Sequence, residues 1–417
     1  MRIAFIGGFA FSPKGTIPAR ALPLAAELVK QGHEVTIFLT PYDNPADSGR
    51  EREQNGVRIC NMRFSAPARA RSITGLPATL IRYSRLLISL VSAVSRFRPD
   101  LIHVFKPKGF AGAAGSYFLL RGRSIVLDCD DWEGWEGWNE VKSYPWIVKE
   151  YIDRQERWMV RMAPAVTVAS RALQERAQAL RGSQNGIYYV PNCAPANGLL
   201  SVESGVRSQF LSETKRELGL PGGPIILYSG HFDAAEDTDL FCRAAALVVS
   251  RHAASILFVG DGPRLPQVRE FFSNRPELKA FFYPQLPYDK FLQLVWASDI
   301  AAFPYRDDAV HRAKCSARIV DYMIMGKAVL TSAVGQNCEY IVDGESGILC
   351  RPGDEQHFSE KLDLLLGDSE LRLKLGEHAK QQIQQRFRWD GEALSQCLAA
   401  YEQVTGTHLV PAEAFNV

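Results

Sequence analysis

The amino-acid sequence predicts an α/β protein made of two doubly wound, Rossmann-like domains facing across a cleft. Its 417 residues exceed one typical core about two- to threefold. Short apolar runs rich in Val, Ile and Phe alternate with longer stretches of helical periodicity, the pattern of parallel strands covered on both faces. That alternation runs once through each half of the chain, with Pro and Gly clustered between the halves.

In the first half, strands are expected at 3–6, 35–39, 101–105, 125–129, 165–169 and 187–190. Between the first two, Ala19 to Gln31 reads as an amphipathic helix closed by Gly32, the usual residue for a left-handed cap. In the second half, strands are expected at 225–228, 256–259, 281–283, 300–303, 328–331 and 348–350. Pro191-Asn192 closes the first set and Pro221-Gly222-Gly223-Pro224 opens the second. The first domain is therefore placed at 1–200 and the second at 215–388. Helical character over 389–404 suggests a helix returning to the first domain, and 405–417 reads as a loose tail.

With 46% hydrophobic and 23% charged residues, the composition excludes a disordered or fibrous chain. The formal charge of +2 conceals an asymmetry: residues 1–200 hold 26 Lys and Arg against 17 Asp and Glu, and the remainder hold 22 against 29. From Arg52 to Arg123 there are 13 basic residues, Arg69, Arg71, Arg82, Arg85, Arg96 and Arg98 among them, and only Glu53 and Asp100 as acids. Such a field attracts an anionic surface or substrate; a solvated basic face is the plain alternative. Eight scattered cysteines with no short pairing argue against a disulfide framework or a zinc knuckle and fit reduced, cytoplasmic thiols. No apolar run reaches the length of a membrane span, so any bilayer contact is expected to be peripheral.

In open parallel sheets a ligand sits at the carboxyl ends of the strands. The loop Gly7-Gly8-Phe9-Ala10-Phe11-Ser12-Pro13-Lys14-Gly15-Thr16 follows the first strand and precedes the first helix, where backbone amides can approach an anion. It carries neither the dinucleotide fingerprint nor a P-loop, and a tight structural turn is the alternative. In Lys314 to Gly326, the residues Ile319, Val320, Met323 and Ile324 form one buried helical face, while Arg318 and Asp321 share another. Asp321 can accept from ribose hydroxyls while Lys314 and Arg318 hold phosphate oxygens; a surface salt bridge is the alternative.

The run Asp128-Cys129-Asp130-Asp131 raises the question of a metal-binding D-x-D, but it ends a strand of the first domain. Asp130 orienting a hydroxyl is preferred to metal binding, with a buried capping acid as the alternative. Five of the seven tryptophans follow within 27 positions, with Trp132, Trp135 and Trp138 as acceptor-side candidates, since sugars stack on aromatic faces and tryptophan also suits the headgroup level of a bilayer.

Taken in order, several motifs resemble the family 4 glycosyltransferases. These are Gly7-Gly8, Gly32-His33-Glu34-Val35, Val190-Pro191-Asn192, Tyr228-Ser229-Gly230, Gly260-Asp261-Gly262-Pro263, Asp299-Ile300 with Pro304, Asp321-Tyr322-Met323 with Gly326-Lys327, and Glu339 to Gly344 with Gly347. The resemblance covers residues 1 to about 404. It implies a GT-B fold that transfers a sugar from a nucleotide-sugar donor (UDP-, GDP- or dTDP-sugar) with retention, with no required cofactor or metal, to a glycan or lipid-linked acceptor in cell-surface polysaccharide or glycolipid synthesis.

It further implies that the second domain holds the donor through Gly230, His231, Asp321 and Glu339, with Gly8, Lys14 and Gly15 contributing from the first. Asp130 falls where many members place a histidine near the transferred sugar, and Asp130, Lys314 and Arg318 are the catalytic candidates. Three departures stand out: Ala313 occupies the place of the family's first glutamate, with Asp307 or Asp308 as possible replacements, and the diphosphate clamp becomes His231 and Glu236. A neutral histidine and a glutamate cannot hold a leaving diphosphate, which turns attention to Lys314 and Arg318. The rival readings are a nucleotide-sugar 2-epimerase of the same fold and a catalytically silent nucleotide-sugar-binding module. The expected setting is cytoplasmic, with contact at the inner face of an anionic membrane as an option; nucleic acid is not an expected partner.

Overall fold

Strands buried on both faces must satisfy every backbone polar group within the sheet, and both halves of the chain do so by parallel pairing. The computed structural model describes residues 1–11, 15–65, 76–195, 216, 222–233 and 237–409, with the side chains of 76–78 outside the description. Lys14, Arg69, Arg71 and Glu236 thus lie outside the described residues.

The first unit comprises Met1–Cys193, Ala313–Ala317 and Trp389–Val417, and the second comprises Ala194–Arg312 and Arg318–Arg388. The division falls at Cys193 rather than at 200, and the five residues 313–317 go with the first unit although both flanks belong to the second. A reading along the chain could not foresee that detour.

The first unit holds an eight-stranded sheet: β1 Arg2–Gly7, β2 Glu34–Leu39, β3 Glu51–Gln54, β4 Val57–Asn61, β5 Leu101–Phe105, β6 Ile125–Cys129, β7 Ala165–Val168 and β8 Ile187–Tyr189. Their order is β3-β4-β2-β1-β5-β6-β7-β8, with Ile3 beside Val35 on one side and Leu101 on the other. Six of these strands match the sequence expectation, while β3 and β4 correct it. They form an antiparallel hairpin whose turn, Asn55-Gly56, has both residues at positive φ (53° and 75°). Glu51-Arg52-Glu53-Gln54 is exposed throughout and carries no apolar alternation, so the pattern hid it; the Asn-Gly pair was the available signal.

One buried ion pair ties this unit together. Arg20 follows the loop after β1 on a π-helical turn, Ile17–Ala21. Its guanidinium grips Asp128 with two bonds, Nε to Oδ1 at 2.8 Å and Nη2 to Oδ2 at 2.6 Å, and also donates to the Val190 carbonyl at 2.7 Å. Thr167 on β7 donates to the same carboxylate at 2.7 Å. With that hydroxyl proton committed, the Nε2–H of His103 donates to Thr167 (3.3 Å) and Nδ1 accepts from Tyr401 on the helix Glu392–Thr405 (2.8 Å). Burial holds His103 neutral, its pKa lowered to about 4. Five elements distant in sequence thus share one polar chain.

The second unit holds six parallel strands, β9 Ile225–His231, β10 Ser255–Asp261, β11 Lys279–Tyr283, β12 Ile300–Phe303, β13 Ala328–Ser332 and β14 Ile348–Cys350, ordered β11-β10-β9-β12-β13-β14. This is the dinucleotide-fold order, with its reversal between β9 and β12. Tyr228, Phe241 and Phe258 fill the core, and the half-buried Phe282 stacks on Phe258 at 4.9 Å.

Replacing Arg20 by Met leaves Asp128 buried without its cation, a class of change that costs about 3–5 kcal/mol. Chemical denaturation of the R20M variant is expected to show the first unit unfolding at a distinctly lower denaturant concentration. Burial opposes the charge on Asp128, yet Arg20 keeps its pKa below the ordinary carboxylate value. The contribution of the pair is therefore complete above that ordinary value and is lost only as pH falls through the depressed one.

Candidate functional site

In the first unit the strand order reverses between β1 and β5, so their carboxyl ends open a crevice. Gly8 closes β1 against the helix Gly109–Leu120: a Cβ at Gly8 would lie 2.8 Å from the Ala111 amide nitrogen, so close packing by itself requires glycine there. Gly15 is exposed, with open space where a side chain would be. Its neighbour Thr16 donates to Asp130 Oδ2 at 2.8 Å, which brings the loop after β1 to the end of β6.

Asp130 sits in a charged cluster that sequence reasoning missed at its centre. Lys106, just past β5, is buried, and its ammonium contacts Asp130 Oδ1 at 3.2 Å, Glu133 at 3.3 Å and Asp131. Lys108 pairs with Glu133 as well. The backbone of Lys106 is left-handed (φ 68°), a conformation that costs a lysine about 1 kcal/mol or more and gathers at functional positions. Burial works against the lysine's charge, but Asp130, Asp131 and Glu133 together push its pKa well above normal. Burial raises Asp130 to a pKa of about 6 even with Lys106 beside it. A buried lysine before a proline at a strand end was the one available sequence cue. The D-x-D run is thus already neutralised, Asp128 by Arg20 and Asp130 by Lys106, and among the described residues no group of three His, Cys, Asp or Glu could hold a metal ion.

The tryptophan segment is pinned rather than splayed. Glu156 accepts from the amides of Glu133 and Gly134, each at 3.0 Å, and Arg176 pairs with that carboxylate at 2.9 Å. The indole of Trp132 donates to the Trp135 carbonyl at 2.8 Å, and that of Trp135 donates to Glu150 at 3.1 Å. Arg176 covers the Trp132 ring at 4.1 Å, and Lys142 lies 4.7 Å from Trp138. All three rings are half-buried, the Trp132 N–H spent inside the segment and the Trp135 N–H on Glu150 of the following helix.

In the second unit the candidates gather at the β9/β12 reversal. Gly230 and His231 end β9, with His231 exposed and 3.9 Å from Asp233. Arg318, on the first turn of the helix Ala317–Ile324, is half-buried and donates to the Ser229 carbonyl beside them. One turn on, Asp321 is buried and accepts from the hydroxyl of Tyr288 at 2.7 Å, a partner that sequence reasoning did not identify. Burial raises Asp321 to a pKa of about 7, with Tyr288 and Arg318 pulling against it. Glu339 lies half-buried on the short helix Asn337–Tyr340 after β13.

Arg318, Asp321, Gly230 and His231 thus meet in one unit. Lys314 does not join them there: it rides on Ala313–Ala317, which the Ser170 hydroxyl (to the Ala313 carbonyl, 2.7 Å) and the Asn192 amide (to the Cys315 carbonyl, 2.6 Å) fasten to the first unit. Neither proposed replacement for the missing glutamate is idle. Asp307 pairs with Arg312 at 2.5 Å, and Asp308 bonds the buried His311 at 2.8 Å. Burial opposes the charge on Asp308, but His311 draws its pKa down to about 2.

Comparison with known proteins matches residues 15–193 to a glycosyl transferase 4-like domain and residues 212–382 to the glycosyl transferases group 1 family. Sulfoquinovosyl transferase SQD2 of Arabidopsis thaliana is 23% identical over 374 residues, covering 87% of this chain and 66% of the relative. N-acetyl-alpha-D-glucosaminyl L-malate synthase of Bacillus anthracis is 24% identical over 180 residues, 43% of this chain and 45% of the relative. The chain therefore spans less than two thirds of the length of either relative.

Among solved structures, sucrose-phosphate synthase of Thermosynechococcus elongatus superimposes with a TM-score of 0.75 at 19% identity over 97% of this chain and 100% of the other. HepE of Anabaena, in complex with UDP-glucose, gives 0.71 at 17% identity over 96% and 100%. WaaG, a glycosyltransferase involved in lipopolysaccharide biosynthesis, gives 0.67 at 16% identity over 97% and 100%. These likenesses show the fold.

A buried carboxyl whose folded pKa is raised makes the fold less stable as pH rises from the unfolded value of about 3.9 to the folded one. For Asp321 that window runs from there to about 7. Urea unfolding of the second unit is expected to lose on the order of 2–4 kcal/mol across it, and the D321N variant should lack that loss. Parallel pH profiles for both proteins would refute the assignment.

Proposed function

Because the chain belongs to the family 4 glycosyltransferases of the GT-B fold, we propose that it transfers a sugar from a nucleotide-sugar donor, with retention of configuration, to a glycan or lipid-linked acceptor in cell-surface polysaccharide or glycolipid synthesis. The observation that carries this reading is the meeting of Arg318 and Asp321 at the carboxyl end of β9. A guanidinium and a carboxyl one turn apart on one helix suit the two ends of a nucleoside diphosphate. Arg318 turns from the Ser229 carbonyl to the phosphates, and Asp321 with Tyr288 takes the ribose hydroxyls. Gly230, His231 and Glu339 lie toward the same end of that sheet. HepE holds UDP-glucose, which supports a UDP-sugar among the candidate donors.

In the first unit Asp130 receives the acceptor hydroxyl. Lys106 is its positioning residue, keeping a buried carboxylate charged, and Thr16 fixes its second oxygen. The bond from the sugar's anomeric carbon to the diphosphate oxygen breaks, the acceptor oxygen bonds to that carbon, and the acceptor's proton leaves on the departing phosphate. Developing charge on that phosphate is what Arg318 stabilises, a well-placed donor contributing about 3 kcal/mol in such sites. The three tryptophans shape the acceptor side as a folded segment rather than as open stacking faces.

Thermal-shift titration against a panel of nucleoside diphosphates tests the donor reading: a matching nucleotide raises the melting temperature in proportion to its affinity, and R318A is expected to abolish most of that rise. Flat melts across the panel would remove the proposal. With a matched donor, D130N is expected to reduce turnover about 100-fold or more while donor affinity stays unchanged. Loss of donor affinity instead would move Asp130 out of the acceptor site.

A further inference from the structure

The first unit carries an apolar feature for which sugar transfer has no use. The helix Leu76–Phe97 has 22 residues, about 33 Å, while β5 has five, about 17 Å. The helix therefore overruns the sheet. Its early turns stand at the carboxyl edge, where Tyr83 packs on Phe110 just after β5 (5.7 Å). Leu80 and Ile81 in those turns are 62% and 52% exposed. Further along the same edge, past β6, the helix Trp146–Met162 begins with Trp146 and Ile147 at 68% and 71% exposed.

Large apolar side chains left in water on two neighbouring projections of one edge gain nothing for the fold and mark a docking surface. Arg82 and Arg85 accompany the first projection, whose helix carries no Asp or Glu, while Lys142 and Lys149 flank the second among Glu140 and Glu150. The first projection is therefore purely basic, which disfavours pairing with its own copy and favours an anionic partner. An indole beside aliphatic chains with flanking cations is the composition that settles at lipid headgroups.

We propose that the carboxyl edge of the first unit docks on an anionic bilayer, with Trp146, Ile147, Leu80 and Ile81 entering the headgroup layer and the neighbouring Arg and Lys side chains meeting lipid phosphates. The docking is peripheral, since among the described residues no helix is long and apolar enough to cross a membrane. Asp130 lies on the same edge, so a docked chain faces an acceptor carried on lipid. This rests on the reading of the first unit as the acceptor side and narrows that acceptor to a lipid-linked one.

Cosedimentation of the full chain with vesicles of phosphatidylcholine, with and without phosphatidylglycerol, tests it. Binding is expected only with phosphatidylglycerol and should weaken as salt rises. The W146S/I147S variant should bind at least about tenfold more weakly, and R82E/R85E should lose the preference for the anionic lipid, both with the melting temperature of the parent protein. Absence of wild-type binding, or equal binding by both variants, would overturn the proposal. So would variants that change only the protein's own association state, which would identify a second copy as the occupant. The nucleoside diphosphate titration is independent of lipid, so failure here leaves the donor reading standing and failure there leaves this one measurable.

Discussion

The bidentate bond between Arg20 and Asp128 is the constraint on which the first unit is built. Taking two ions out of water is costly, and the cost is offset only where nearly every remaining donor and acceptor is used. That requirement fixes the elements around it: the loop and helical turn after β1, the end of β6, the end of β8, and, through Thr167 and His103, the C-terminal helix carrying Tyr401. Asp130 follows Asp128 by two residues, so the pair that anchors the core also aims the next carboxylate at the strand ends. Structure and candidate chemistry share one strand.

The two units solve the same electrostatic problem differently. In the first, carboxylates at the strand ends are compensated in place by lysines, and burial still lifts the pKa of Asp130 to about 6. In the second, Asp321 is buried with a phenol rather than a cation as its direct partner, and burial prevails, lifting it to about 7. A carboxyl held near neutrality can release its proton when a cation or a hydroxyl array arrives, which suits a group that meets its ligand late.

The tryptophan segment shows how a tempting composition can be spent on structure. Three indoles separated by Glu-Gly pairs look like a stacking surface, yet the turn folds on itself and on Glu156, the Trp132 N–H closing it from within and the Trp135 N–H tying it to Glu150 on the next helix. The exposed tryptophan of the region is instead Trp146, which opens the helix beyond it.

The sequence by itself determined the two-sheet α/β class, twelve of the fourteen described strands, and the helix from Ala317 that carries Arg318 and Asp321, because hydrophobic periodicity reports which faces are buried and motif order reports the family. Of the β3–β4 hairpin, β3 escaped because an exposed polar strand has no such periodicity, whereas β4, with Val57 and Ile59 buried either side of exposed Arg58, and the Asn55-Gly56 turn were legible signals. What only the tertiary structure decided is pairing across distance: Arg20 with Asp128, Lys106 with three acids, Tyr288 with Asp321, and the attachment of Ala313–Ala317 to the unit that precedes it by more than a hundred residues. The value of a buried charge depends on which opposite charge arrives beside it, and arrival is a property of the folded chain that no local pattern encodes.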